Sequence, residues 1–252
     1  MMRKPLIAGN WKMNGSCASV DALLRALSKG AASVTAELAV FPAFVFLERT
    51  RRLLASGTIA WGGQNLAPEP SGAFTGEVSA EMLRDFGCRY VLVGHSERRT
   101  LFGETNEWVA AKYQAALRAG LSPILCVGET LQEREQGLTY DVLRTQLNAI
   151  LTLPTGVKSL EQAVIAYEPV WAIGTGLTAQ PETAQEVHAK IRSWVAEYDI
   201  KVAENLRILY GGSLKRDGAA LLLAMPDIDG GLVGGASLNA EEFLDIALSC
   251  NK

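Results

Sequence analysis

The stretch AVIAYEPVW (163–171) runs without a charge from Ala163 to Tyr167 and then sets Glu168 directly before Pro169. A continuous apolar run, rather than strict alternation, marks a strand buried on both faces, as in a parallel sheet covered by helices. Proline keeps the residue before it out of the helical region, so Glu168 is expected to be extended and to point in a fixed direction at the carboxyl end of that strand. Gly174 and Gly176 come soon after, and glycine permits movement or the close approach of a ligand. The stretch therefore joins a held carboxylate to a loose segment.

The same pattern recurs along the chain: LIAGNW from Leu6, LAVFPA from Leu38, IAWGGQN from Ile59, YVLVGH from Tyr90, SPILCVGE from Ser122, LRILYGG from Leu206 and GGLVGGAS from Gly230, eight strand candidates in all. Amphipathic segments at 20–27, 104–119 and 183–198 lie between them. In the last, Val187, Ile191, Trp194 and Val195 recur at helical spacing, while Glu186, Lys190, Arg192 and Glu197 are expected to cover the outer side. No proline- or serine-rich linker divides the chain, so residues 1–252 are read as one domain of the α/β class. The alternation favours a single (βα)8 barrel of eight parallel strands with surrounding helices over a doubly wound open sheet. Periodicity does not show closure, and the open sheet stays open as an alternative.

A net charge of -3 argues against a nucleic-acid partner, which needs a basic surface to neutralise phosphates. Any anionic ligand must be held by local groups. The opening MMRKPLIAGNW has too short an apolar run for a signal-peptide core, and no stretch is long enough to cross a bilayer, so the expectation is a cytoplasmic protein with no membrane partner. Cys17, Cys88, Cys126 and Cys250 are scattered, without a CxxC pair, and His95 and His188 are the only histidines. Free thiols and no metal or cofactor are expected.

Polar residues fall at the carboxyl ends of the strand candidates: Asn10 and Lys12, Gln64 and Asn65, His95 and Glu97, Glu129, Glu168, and Ser213. In a closed barrel these ends share one face, so residues far apart in sequence meet at one pocket. Glu168 is the candidate base, with partial burial expected to raise its pKa; alone it could equally be a helix cap or an arginine partner. His95 precedes Ser96-Glu97-Arg98, a helix start whose positive end should keep the imidazole neutral and able to donate to a substrate oxygen. The plainer reading is a core histidine bonded to backbone. His188 lies within a helical segment and receives no role. Lys12 can face an anion as a nucleophile or as an electrostatic stabiliser; the second is favoured because nothing nearby would depress its pKa. Glycines at 174–176, 211–212 and 234–235 suit backbone binding of a small phosphorylated ligand, and no dinucleotide or nucleoside-triphosphate motif is present.

Taken together, GNWKMN (9–14), GGQN (62–65), FTGEVS (74–79), GHSERR (94–99), CVGET (126–130), AYEPVWAIGTG (166–176), YGGS (210–213) and VGGASL (233–238) resemble the triosephosphate isomerase family over nearly the whole chain. The resemblance implies interconversion of dihydroxyacetone phosphate and D-glyceraldehyde 3-phosphate without a cofactor, in glycolysis and gluconeogenesis. It implies Glu168 as the base, neutral His95 as electrophile, Lys12 and Asn10 as stabilisers of negative charge, and Glu97 in support of Lys12 or of proton transfer. The substrate would be held by Asn10 and Lys12 and by the backbones of Gly174, Ser213, Gly234 and Gly235. Pro169, Val170 and Trp171 resemble the leading hinge of a lid, Ala172, Ile173, Gly174, Thr175 and Gly176 its tip, and Leu177, Thr178 and Ala179 its trailing hinge. Segment 64–77 resembles a loop through which the family forms homodimers, which would bring Thr75 near the partner subunit's active site. Leu177 departs from a common lysine and Leu214 from a usual valine.

Two other readings compete. A glycosidase would pair Glu168 with Glu97 or Glu129, and a binding module would use the same barrel without turnover. His95 and the phosphate-type glycines weigh against the first, and the joint presence of Asn10, Lys12, His95 and Glu168 against the second.

Overall fold

The computed structural model describes residues 3–173 and 179–250. Eight parallel strands, β1 (Leu6–Asn10), β2 (Glu37–Phe41), β3 (Ala60–Gly63), β4 (Tyr90–Val93), β5 (Ser122–Val127), β6 (Val164–Tyr167), β7 (Arg207–Tyr210) and β8 (Gly230–Val233), close into a barrel in chain order. Closure is made by β1, which pairs with β2 through Leu6↔Glu37 and with β8 through Leu6↔Gly230. The open sheet is excluded. All eight strand candidates are present, but most are shorter than the apolar runs suggest. Strand β6 stops at Tyr167, and Val170–Ala172 forms a short 3-10 turn after Pro169 instead of continuing to Trp171. The helices Cys17–Gly30, Asn106–Arg118 and Pro181–Ala196 cover the expected amphipathic segments, with ends shifted by caps such as Ser16 and Thr105.

Alternation along the strands decides what the barrel encloses. Leu6 and Ala8, Ala39 and Phe41, Tyr90 and Leu92, Ile124 and Cys126, Val164 and Ala166, Leu209, and Leu232 form one buried cluster. The intervening residues, among them Ile7, Val40, Val91, Leu125, Ile165, Ile208 and Val233, join the larger cluster shared with the helices. The first set fills the barrel interior, and the second packs the sheet against its helical coat. Two residues beyond the interior set lie Asn10, Gly128, Glu168, Gly211 and Gly234. Strand parity therefore aims Asn10 and Glu168 at the barrel's mouth.

The opposite end is closed by ion pairs. Glu37 accepts from Tyr90 Oη at 2.6 Å and from Arg207 Nη1 at 2.8 Å. Burial works against the Glu37 charge, yet the bonds from Tyr90 and Arg207 outweigh it and hold its pKa below the usual carboxylate range. Arg192, expected on the outer side of its helix, instead turns inward and bonds Asp227 at 2.6 Å and Asp229 at 2.7 Å. A helical period places a residue on a face, but a long side chain at that face's edge goes where its charge partners are.

His188, on the same helix, is fully buried, lies edge-on to Tyr167 at 5.8 Å, and contacts the Asp227 carbonyl through Nδ1 at 3.2 Å. Burial pushes its pKa down to about 4, with the Arg192 charge acting in the same direction. An unfolded chain takes up this proton near 6.5, the folded one only near 4, so stability falls as pH drops through that window and levels off below it. Urea unfolding at fixed protein concentration should show the wild type losing about 2 kcal/mol more than His188→Gln between pH 7 and pH 5. Equal losses in the two proteins would contradict a buried neutral imidazole.

Candidate active site

Two strand ends bring the proposed acid-base groups together. Glu168 comes directly after β6 and is almost completely buried, while His95 lies just past β4 and N-caps the helix Ser96–Phe102. His95 Nε2 lies 2.9 Å from Glu168 Oε1, and Ser96 N–H donates to Glu168 Oε2 at 2.9 Å. The Glu97 N–H donates to His95 Nδ1 at 3.2 Å. With Nδ1 accepting, the ring proton sits on Nε2 and is donated to Glu168.

These bonds bear on both expectations about ionisation and overturn the one for Glu168. Burial raises the pKa of Glu168, but the His95 and Ser96 donors, with Lys12 farther off, win and hold it below the ordinary carboxylate value. At His95 burial opposes charge, yet the facing Glu168 carboxylate, helped by Glu97, raises the pKa. The helix N-terminus fixes the tautomer through the Glu97 N–H, whereas Glu168 pulls toward imidazolium for as long as it stays docked. Moving Glu168 away withdraws that pull and leaves a neutral Nε2–H donor.

Lys12 is the only described non-glycine residue with positive φ, at 53°. Its N–H donates to Asn10 Oδ1 at 3.1 Å, and Gln64 Nε2 bonds both the Lys12 and Phe41 carbonyls at 2.8 Å. A left-handed lysine backbone costs of order 1 kcal/mol, and these side-chain bonds over-determine it. Its ammonium group pairs with Glu97, so Glu97 and Lys12 form one charged unit at the mouth.

A cavity of about 490 Å³ is lined by Asn10, Lys12, His95, Glu168 and Ile173 on one side and by Gly211, Gly212, Ser213, Gly234 and Gly235 on the other. The proposed acid-base groups and the proposed backbone cradle thus face one space. In this state the Ser213 N–H is engaged by the Ala172 carbonyl at 3.3 Å. An anion there must displace it. Gly174, Thr175, Gly176, Leu177 and Thr178 lie outside the described residues. Thr75 lies exposed on a separate loop and does not line this cavity.

Glu129 is placed elsewhere. It is buried, accepts from Tyr167 Oη at 3.1 Å and Trp171 Nε1 at 3.0 Å, and faces Arg134 at 3.4 Å. Burial raises its pKa, with the tryptophan and tyrosine bonds opposing. It anchors the root of segment 169–173 and does not line the cavity. The Glu97 carboxylate is occupied by Lys12. Neither acid lines the cavity that Glu168 faces, so neither stands across it from Glu168 as the second carboxylate of a glycosidase would. Among the described residues no group of three or more His, Cys, Asp or Glu is placed to hold a metal ion.

Sequence reading missed Lys215 and Glu242, which also line the cavity. Lys215 was legible as the second residue after Ser213; Glu242 had no signal before its helix was placed.

The fold and these side chains define a class, a (βα)8-barrel protein carrying a carboxylate-imidazole pair and a lysine at the carboxyl-end mouth. The triosephosphate isomerase family model matches residues 5–250. A triosephosphate isomerase of Nitrosococcus oceani is 61% identical over 246 residues, covering 97% of this chain and 98% of that protein. One from Coxiella burnetii is 56% identical, covering 100% and 99%. The crystal structure of triosephosphate isomerase from Bartonella henselae superposes with a TM-score of 0.89 at 41% identity, covering 99% of this chain and 100% of that one. The chain belongs to the triosephosphate isomerase family.

Proposed function

We propose that the chain interconverts dihydroxyacetone phosphate and D-glyceraldehyde 3-phosphate through an enediolate, with Glu168 as the base. The observation that carries this reading is the contact of Glu168 with His95 Nε2 at 2.9 Å in a cavity that also holds Lys12. A substrate carbonyl replaces Glu168 as acceptor of the Nε2 proton, and the freed carboxylate takes a proton from the adjacent carbon. Electrons move to the carbonyl oxygen, where His95 and the Lys12 ammonium meet the developing charge. Glu168 returns the proton to the neighbouring carbon, and His95 exchanges protons between the two oxygens. This division of labour is the one known for the family and is not a new assignment. Asn10 holds the Lys12 backbone, Glu97 orients its ammonium, and the phosphate lies on the backbones of Gly174, Ser213, Gly234 and Gly235.

Residues 169–179 act as the lid. Both of its roots are tied to the barrel in support of this: Trp171 to Glu129, and the Ala179 N–H to Tyr210 Oη at 3.3 Å. Closure excludes water and keeps the enediolate from expelling phosphate.

Loop 64–77 carries the homodimer contact through Thr75. Its base is pinned by the Ala67 N–H bond to the Val78 carbonyl at 2.8 Å, and its tip is exposed. A second groove, of about 230 Å³, reaches Asn10, Lys12, His95 and Glu97 from the side of Met13 and Phe102, which are 95% and 66% exposed. Apolar surface beside charged site residues suits a partner subunit's loop. The glycolytic role places its action in the cytoplasm. No helix among the described residues is long and apolar enough to cross a membrane.

A coupled assay of glyceraldehyde 3-phosphate isomerisation should show rapid turnover and a loss of about 100-fold or more in kcat for Glu168→Asp, whose carboxylate keeps its charge but loses reach. Absence of turnover by a folded wild type would leave only the binding-module reading. Deleting the lid tip should leave the circular dichroism spectrum intact while inorganic phosphate is released during turnover; isomerisation with no release would remove the lid from the account. Sedimentation at decreasing concentration should show activity declining with the dimer, and a fully active monomer would refute the dependence on Thr75 of the partner chain.

A further inference from the structure

The rim of the cavity carries two charges that the mechanism does not use, Lys215 and Glu242. The same two residues line a cleft of about 300 Å³ beside it, together with Arg216, Asp217, Asn239 and Glu241. Lys215 stands two residues after Ser213, immediately before the helix Arg216–Leu223, and its side chain makes no cap bond. Glu242 lies in the first turn of the helix Ala240–Leu248, beyond Gly234 and Gly235. Both therefore sit at the glycine-lined end of the cavity, away from the acid-base pair.

The other cavity charges are committed. Lys12 pairs with Glu97, and Glu168 is held by His95 and Ser96. Arg216, next in sequence to Lys215, forms ion pairs with Asp245 at 3.0 Å and Glu241 at 3.8 Å. Among the described residues neither Lys215 nor Glu242 has a side-chain ion-pair partner, and they do not pair with each other. The backbone cradle supplies dipoles but no net charge. A phosphate dianion entering this end meets an uncommitted cation and an uncommitted anion within a Debye length, about 10 Å at 0.1 M salt.

We propose that Lys215 and Glu242 are opposed determinants of affinity for the phosphate end of the substrate. Lys215 draws in and holds the dianion, and Glu242 limits that attraction. The inference rests on the triose phosphate reading of the site. Tight uniform binding lowers KM without raising kcat, so a carboxylate that weakens phosphate retention costs the reaction little and speeds product departure. Neither side chain bonds to Glu168 or His95, so the pair acts on capture and release rather than on proton transfer.

The test measures kcat/KM for glyceraldehyde 3-phosphate and competitive inhibition by inorganic phosphate at low and high ionic strength, on the wild type, Lys215→Gln, Glu242→Gln and the double variant. At low salt the lysine variant should lose about 3- to 5-fold in kcat/KM and the glutamate variant gain by a similar factor. The changes should fall on KM rather than kcat, phosphate inhibition should move in the same sense, and all four proteins should converge at high salt. A merely structural role would lower activity in both variants and would not vanish with salt. Equal values for all four proteins at low salt, or shifts of the same sign, would overturn the proposal while an active wild type leaves the isomerase reading intact. An inactive wild type would instead remove the reading on which it rests. Should Lys215→Gln fail to fold, the sign of the Glu242→Gln effect decides alone.

Discussion

The structure turns on the seating of one buried carboxylate. Taking Glu168 out of water costs several kcal/mol, and its two hydrogen bonds, to His95 and the Ser96 N–H, each return about 1.5–3 kcal/mol because the acceptor is charged. The seat is also steric. A side chain at Gly128 would put its Cβ 1.8 Å from the Glu168 carbonyl oxygen, and one at Gly211 would come within 2.8 Å of Glu168 Cγ. These glycines stand at the ends of β5 and β7, the strands on either side of β6, so the layer above the barrel core has room for one large side chain there. The segment after β6 inherits this anchor, through the Glu168 N–H bond to the Val127 carbonyl and the Val170 N–H bond to the Glu129 carbonyl.

The two ends of the barrel handle buried charge differently. At the amino end Glu37, Arg207 and Tyr90 close on one another, as do Arg192, Asp227 and Asp229. Those charges are fully engaged with one another and contribute to holding the ends of the strands together. At the carboxyl end the bonds are ones a substrate can take over: the Nε2–H held by Glu168, the ammonium held by Glu97, the Ser213 N–H held by Ala172. Such a site satisfies its own polar groups, and in the proposed mechanism it still stays reactive because each protein partner stands in for a substrate atom.

The strands were legible because burial on both faces leaves a continuous apolar run, and the site because polar residues stood at the ends of those runs. Pro169 marked where β6 must stop, although the apolar Val170 and Trp171 beyond it extended the apparent strand. Closure was not legible, since it depends on β1 pairing with β8 from the far end of the chain rather than on any local signal. The ionisation of Glu168 was misread for a related reason. Burial of Glu168 could be inferred from its apolar strand, but the donors that reverse its effect come from residues 95 and 96, and their distances exist only in the fold. Arg192 shows the same limit on a helix, where its aspartate partners lie far along the chain on the approach to β8.

The seat of Glu168 also explains why the proposed lid begins where it does. Pro169 fixes the backbone immediately after the base, and the next residues are held by Glu129, whose carboxylate takes Trp171 Nε1 and Tyr167 Oη while Arg134 stacks on the Trp171 ring at 4.5 Å. The Ala172 carbonyl in turn accepts from Ser213, on the phosphate side. A ligand that claims the Ser213 N–H therefore breaks a bond at the lid's root, and one that claims the His95 Nε2–H frees the base next to that root. Binding at either end of the cavity would be felt by the same short segment, so in the proposed mechanism substrate capture, release of the carboxylate and movement of the lid are linked through bond exchange, without any need for a longer path across the barrel.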